Sequence, residues 1–209
     1  VENDMKKIDT IIFDLGGVLI DWNPEYVYLD AFKGDRKKMQ WFFDHVCTHD
    51  WNENQDAGYP LEKATEDRIA LFPEHEELIK MFYGRWEEML GGPIDGTVQI
   101  LKKLIDSNQF QVVALTNWSH ETFPIALETF DFLHWFDGIL VSGEEKTRKP
   151  FKEIYKLTLD RFNIRAESSV FIDDNLRNIL AAEELGINTI HFRNSENLKE
   201  ELKVFGISL

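Results

Sequence analysis

Six side chains suited to phosphate chemistry stand at or just beyond the ends of short apolar runs. Asp14 follows "TIIF", Thr116 and Asn117 follow "VVAL", and Asp173 and Asp174 follow "SVFI". Lys149 precedes Pro150 in "GEEKTRKP", downstream of a fourth run, "GILV". In an open parallel sheet, ligands sit outside the carboxyl ends of the strands. If these runs are neighbouring strands, three carboxylates, a hydroxyl and an ammonium converge on one edge. Clustered carboxylates raise each other's pKa, and a divalent cation relieves the repulsion. Oxygen ligands of this kind suit Mg2+, which often bridges protein carboxylates to a substrate phosphate. Asp14 would then attack phosphorus, Mg2+ and Lys149 would neutralise the phosphoryl oxygens, and Thr116 and Asn117 would hydrogen-bond them. Taken singly, each residue has a plainer role: Asp14 or Thr116 in a turn, Asp173-Asp174-Asn175 as a helix cap, Lys149 on the surface. Their joint placement at successive strand ends favours the chemistry.

The elements that must position them are visible as alternating patterns. Five apolar, β-branched runs read as strands: Thr10–Phe13, Val112–Leu115, Gly138–Val141, Ser169–Ile172 and Thr189–Phe192. Segments of helical period lie before, between and after the last four. "VQILKKLI" gathers Val98, Leu101, Leu104 and Ile105 on one face, and "FKEIYKLTLDRF" gathers Phe151, Ile154, Tyr155, Leu159 and Phe162. "LRNILAAEELG" ends on Gly186 as a C-cap, and "SENLKEELKVFG" runs from a Ser195 N-cap to Gly206. Strands alternating with helices imply parallel pairing, hence an α/β fold with helices on both faces of the sheet. About 70 residues separate the first strand from the first sheet-covering helix, too many for a structureless loop. That stretch holds helix-like pieces ("RKKMQWFFDHV", "LEKATEDRIALF", "HEELIKMFYGRWEEML") and four of the six tryptophans. It reads as an inserted α-helical cap over 22–92, with "GGP" at 91–93 as the return linker and the catalytic body formed by 1–21 and 93–209.

Composition narrows the setting. A net charge of −15 disfavours nucleic acid and anionic membranes as partners. There is no apolar run of membrane-spanning length, and the opening "VENDMKK" lacks an apolar leader region. Cys47 is the only cysteine, so no internal disulfide forms. Together these lead us to expect a cytoplasmic protein whose partner is a small phosphorylated substrate.

The motifs resemble those of the haloacid dehalogenase-like hydrolases, a superfamily that includes aspartate-nucleophile phosphohydrolases. "FDLGGVL", "LTN", "RKPFKEIY" and "FIDDNLRNILAAEELGI" match its four motifs in order, and the insert sits where the helical-cap subclass carries its cap. The resemblance implies a Rossmann-like core with Asp14 as nucleophile. It implies that Thr116 and Lys149 hold the phosphoryl group. It also implies that Asp173 and Asp174, with the backbone carbonyl of Gly16, bind Mg2+.

One position departs from the pattern. Where most phosphatases of the family carry a second aspartate that protonates the leaving group and activates water, this chain has Gly16. That help is worth roughly 10²–10⁴-fold in rate. Three readings follow: a 2-haloacid dehalogenase, which needs neither that acid nor metal; a catalytically weak protein kept for metabolite binding; or a phosphatase whose acid comes from elsewhere. The paired acids at 173–174 favour the last, with a sugar phosphate as substrate, because sugar 1-phosphate phosphatases similar to this chain share the glycine. They also share an aspartate seven residues after the nucleophile, here Asp21, which with the cap is the expected source of the acid. Gly17 is expected in a substrate-binding flap, and Trp51 is the cap aromatic chosen for the pocket. "DWNENQDAGYPLE" begins like a calcium loop but has Gln55 and Leu61 where glycine and glutamate are required. Within it, Asp56 and Gly58 repeat an acid–spacer–glycine pattern of similar caps. His45, Cys47 and His49 have metal-like spacing without a second ligand pair, and read as packing or surface residues.

Overall fold

A computed structural model describes residues 7–209. The first six residues, which carry most of the polar opening, lie outside the described residues. In chain order the elements are β1 (Thr10–Phe13), β2 (Ile20–Trp22), α1 (Glu25–Ala31), α2 (Arg36–His45), α3 (His49–Asp56), α4 (Leu61–Leu71), α5 (Glu76–Gly84) and β3 (Leu90–Pro93). Then come α6 (Asp95–Asp106), β4 (Gln111–Thr116), α7 (Phe123–Thr129), β5 (Gly138–Val141), α8 (Ser142–Glu145) and α9 (Lys152–Arg161). β6 (Ser169–Asp173), α10 (Leu176–Glu183), β7 (Asn188–His191) and α11 (Ser195–Val204) complete the chain.

Five strands form a parallel sheet in the order β5-β4-β1-β6-β7. β1 is central, and every one of its residues is buried. Because side chains alternate across a strand, successive residues feed two separate apolar layers. Ile11, Phe13, Val112, Ala114, Val170 and Ile172 pack on one side with Leu101 and Leu104 of α6 and Leu198 and Leu202 of α11. Ile12, Val113, Leu115 and Phe171 pack on the other with Ile154 and Tyr155 of α9 and Ile179 and Ala182 of α10. The sheet is thus covered on both faces, as the alternating pattern requires. Phe13 lies level with Ala114 and Ile172, so the residues that end these three strands emerge side by side.

Between β1 and α6 the chain builds a helical segment, α1–α5, entered and left through a two-stranded antiparallel ribbon of β2 and β3. The ribbon replaces the plain linker expected at "GGP": Asp21 pairs with Gly92 and Trp22 with Leu90. Glycines carry no side chain to show a period of two, so the strand left no pattern. α3 is also new, because it falls on the calcium-like stretch. Thr48 caps it, its hydroxyl accepting the Trp51 N–H at 3.1 Å. On a helix, alternate residues point about 200° apart, so Asp50, Asn52, Asn54 and Asp56 cannot converge on one ion.

Two smaller expectations shift. Asn194, not Ser195, caps α11, its side chain accepting the Asn197 N–H at 2.8 Å. Phe151 leaves the buried face of α9. It precedes the first turn and is half exposed, with the Arg148 guanidinium 4.6 Å above its ring. Among the described residues, no helix is long and apolar enough to cross a membrane.

Candidate active site

The β-strand tips meet. Asp14 caps β1, and its backbone N–H continues the ladder to the Ile172 carbonyl at 2.9 Å. Carboxylate oxygens of Asp14, Asp173 and Asp174 all lie within 4.8 Å of one another, the one such group of acids, histidines or cysteines among the described residues. Lys149 stands between two of them. Its Nζ donates to Asp14 Oδ1 at 2.9 Å, to Asp173 Oδ2 at 2.7 Å and to the Leu115 carbonyl at 3.0 Å. Asp14 Oδ1 also accepts the Leu15 N–H at 2.8 Å. Asp173 is the most committed acid, since it further accepts the Asn175 N–H at 2.8 Å and the Asn178 amide at 3.1 Å.

Burial and the neighbouring Asp173 carboxylate push the Asp14 pKa well above the ordinary range, against the pull of Lys149. Loss of solvent and Asp173 also raise Asp174. Burial alone would lower Lys149, but the Asp14 and Asp173 carboxylates overcome it and hold the ammonium charged. Three carboxylates against one ammonium leave two negative charges to be balanced. An all-oxygen donor set with that charge fits a divalent cation.

The glycines have separate functions. Gly17 has φ +80°, and a Cβ there would lie 2.2 Å from Asp174 Oδ2, so the carboxylate rests directly on its backbone. A Cβ on Gly16 would meet no atom within 4 Å, and the residue borders a cavity. Thr116 is fully buried, and its hydroxyl has no hydrogen-bond partner among the described residues. A buried hydroxyl left open at a strand tip suits an incoming oxygen.

Two expectations are corrected and a third gains a second role. Asn117 borders the cavity, and its side chain also positions the lysine: its Oδ1 accepts the Lys149 N–H at 2.8 Å and its Nδ2 donates to the Lys149 carbonyl at 3.0 Å. Asp21 does not line the cavity. Its carboxylate accepts the Tyr26 hydroxyl and packs on Gly91, while the next residue, Trp22, faces the site because strand side chains alternate. Trp51 is absorbed into the packing of the helical segment, 5.2 Å from the Phe82 ring and 5.3 Å from Tyr83, with its indole N–H on the Ala64 carbonyl.

The cavity measures about 260 Å³. Asp14, Gly16, Gly17, Lys149 and Asp174 form its floor, and Trp22, Asn52, Glu53, Asp56, Tyr83 and Trp86 reach it from the ribbon and the helical segment or the turn after it. Glu53 of α3 is buried and binds two arginines of the sheet body: Arg148 at 3.0 Å and Arg177. His49 lies 3.1 Å from the same carboxylate. One turn on, the Asp56 carbonyl accepts the Ser142 hydroxyl, which also accepts the Trp118 N–H at 2.8 Å. Gly58, φ +99°, comes so near that a Cβ would sit 2.9 Å from the Gly143 carbonyl. Sequence reasoning missed Glu53, Arg148, Arg177, Trp22 and Tyr83. The acid–spacer–glycine at 56–58 was the one trace of this contact. Burial and the Glu53 charge push Asp56 up to about 7, opposed by Arg148 and Lys149.

The family model for haloacid dehalogenase-like hydrolases matches residues 11–192. The chain is 38% identical over 197 residues to the sesquiterpene phosphatase astK of Aspergillus oryzae, covering 88% of this chain and 89% of that protein. It is 30% identical over 203 residues to the drimenol cyclase drtB of Aspergillus calidoustus, covering 95% of this chain but spanning only 37% of that protein. Its fold matches the HAD family enzyme bt-2542 of Bacteroides thetaiotaomicron in a magnesium complex, with TM-score 0.72, 22% identity, and coverage of 95% and 100% of the two chains. The chain is an enzyme of phosphatase type and belongs to the haloacid dehalogenase-like hydrolases.

Proposed function

We propose that the protein hydrolyses the phosphate monoester of a small metabolite through an aspartyl-phosphate on Asp14, with Mg2+ as cofactor. The observation that carries this reading is the Lys149 clamp, which holds Asp14 and Asp173 together while Asp174 lies within 4.8 Å of both. Asp14 and Asp174, backed by Asp173 and the carbonyl of Gly16, would hold the metal. When bound it supplies positive charge to the phosphoryl oxygens. Lys149 supplies a second charge to those oxygens, and Thr116 donates its open hydroxyl. Residues 1–21 and 93–209 act as the catalytic body, and 22–92 act as a cap that excludes water and selects the leaving group.

A sugar phosphate is the substrate class expected from the glycine at residue 16. A second class, the phosphate of an apolar alcohol, is favoured by the four aromatic rings on the cavity wall, Trp22, Tyr83, Trp86 and Trp118, and by the likeness to a sesquiterpene phosphatase. The test is a phosphatase panel with and without Mg2+, containing an aryl phosphate, sugar 1-phosphates and prenyl monophosphates. Mg2+-dependent phosphate release, abolished in Asp14→Asn, is expected. Binding without release throughout the panel would support the weakly catalytic reading, and metal-free halide release from a 2-haloacid would support the dehalogenase.

A further inference from the structure

The proton that the leaving group needs has no donor at residue 16, so it must come from elsewhere on the cavity wall. Four carboxylates border the cavity: Asp14, Glu53, Asp56 and Asp174. Asp14 is the nucleophile of the reading above. Asp174 rests on Gly17 within the acidic trio. Glu53 is bound to Arg148 and Arg177. His49 also borders the cavity, but its side chain is largely exposed and turned to Glu53. Only Asp56 is left without an assigned task.

We propose that Asp56 is the general acid and base of this enzyme, reaching from the helical segment into the room that Gly16 leaves open. This rests on the phosphatase reading and adds a residue to it. The end of α3 is fixed against the sheet body by the Ser142 hydroxyl on the Asp56 carbonyl and by the close approach of Gly58 to Gly143, and Asp56 borders the same cavity as Asp14 and Gly16. The charged groups that act on it are Glu53, Arg148 and Lys149, with burial, and their balance keeps it protonated up to about pH 7. A protonated carboxyl near neutrality is what a general acid requires.

The steps balance. As an Asp14 oxygen bonds to phosphorus and the ester P–O bond breaks, the Asp56 proton passes to the departing oxygen and the alcohol leaves. The Asp56 carboxylate then takes a proton from water while the water oxygen bonds to phosphorus. The P–O bond to Asp14 breaks, inorganic phosphate forms, and both aspartates return to their starting states.

The experiment compares 4-nitrophenyl phosphate with an alkyl phosphate of similar size, in Mg2+, for wild type, Asp56→Asn and Asp56→Asn/Gly16→Asp. The alkyl ester needs a proton to leave and the aryl ester does not. In Asp56→Asn, kcat/KM for the alkyl ester should fall roughly 10²–10⁴-fold. The aryl ester should give a burst of one nitrophenolate per site followed by slow turnover, because Asp14 is still phosphorylated but water is no longer activated. The wild-type decline of alkyl kcat/KM as pH rises through about 7 should vanish. An aspartate at residue 16 has room for its Cβ and should restore at least part of the alkyl activity. Equal losses on both esters without a burst, or an unchanged pH profile, would overturn the assignment while leaving the phosphatase reading intact. That reading falls instead if Asp14→Asn still turns over the aryl ester.

Discussion

Lys149 Nζ lies 2.9 Å from Asp14 Oδ1, and both side chains are buried at the tip of the central strand. The ammonium therefore does two things at once: it keeps an otherwise uphill carboxylate in place and it adds a positive charge beside the nucleophile. Removing it leaves Asp14 and Asp173 facing each other unpaired. In metal-free protein, Lys149→Met should lose about 3–5 kcal/mol at pH 7, the range for breaking a buried ion pair. The loss should shrink at lower pH as Asp14, whose pKa is raised, takes up a proton, which urea denaturation at pH 7 and pH 5 will read.

Thr116 separates a structural from a functional role. Its hydroxyl is buried and unpartnered among the described residues, so Thr116→Val should change stability by less than about 1 kcal/mol. A lost hydrogen bond to a charged phosphoryl oxygen should cost about 1.5–3 kcal/mol of transition-state stabilisation. The expected result is an unchanged denaturation midpoint with kcat/KM down by roughly 10–100-fold.

Gly17 supports Asp174 by having no side chain. Gly17→Ala places a Cβ 2.2 Å from Asp174 Oδ2 at a backbone φ of +80°. The backbone alone should cost about 1–2 kcal/mol. The displaced carboxylate should raise the half-saturating Mg2+ concentration by roughly 10–100-fold, the range for disturbing a ligand's support. A Mg2+ titration of activity or calorimetry measures it, and an unchanged titration would remove Asp174 from the metal site.

Glu53 ties the helical segment to the sheet body. Glu53→Gln keeps the shape but strands Arg148 and Arg177 without a counter-charge. Arg177 is nearly half exposed and rehydrates, so about 2 kcal/mol is expected. The specific readout is faster limited proteolysis within 22–92 together with a raised KM, both reporting a helical segment held less firmly to the sheet body.

Asp56 carries a stability cost for its chemistry. Its pKa rises on folding from 3.8 to about 7, so between those pH values the folded chain binds more protons than the unfolded one and stability falls as pH rises. Above about 7 the loss is complete, with an upper bound of ~4 kcal/mol at 1.36 kcal/mol per unit. Asp56→Asn should match wild type near pH 4 and be more stable by about 1–4 kcal/mol at pH 8. Denaturant midpoints across this range test the sign, and a variant less stable at pH 8 would contradict it.

How much of this was legible depended on the range of the interactions. β1 is followed by an acid after four buried β-branched or aromatic residues, β6 likewise ends in an acid, and β4 ends its buried apolar run on Thr116, so strand tips, parallel pairing and the acidic edge could be read from local spacing. The register that sets Phe13 beside Ala114 and Ile172 follows from burying both faces of the sheet. Asn117 was legible as a strand-end polar group but not as the clasp on Lys149, because that bond joins residues 32 apart. Asp21 and Trp22 show the same limit: which of two neighbours faces the cavity is decided by the ribbon with β3, formed by glycines without pattern.

The amino-acid sequence by itself determined the alternation of strands and helices, the inserted helical segment and the acids at the strand tips, since each is written in hydrophobic period and turn chemistry along a few residues. Only the tertiary structure decided that Glu53 and Asp56 lie over that floor, that Trp51 does not, and that Gly16 opens onto empty space. Those facts depend on how α3 docks across the sheet edge, through Arg148, Arg177 and Ser142, and a contact between residues 86 or more positions apart leaves no periodic signal in the chain.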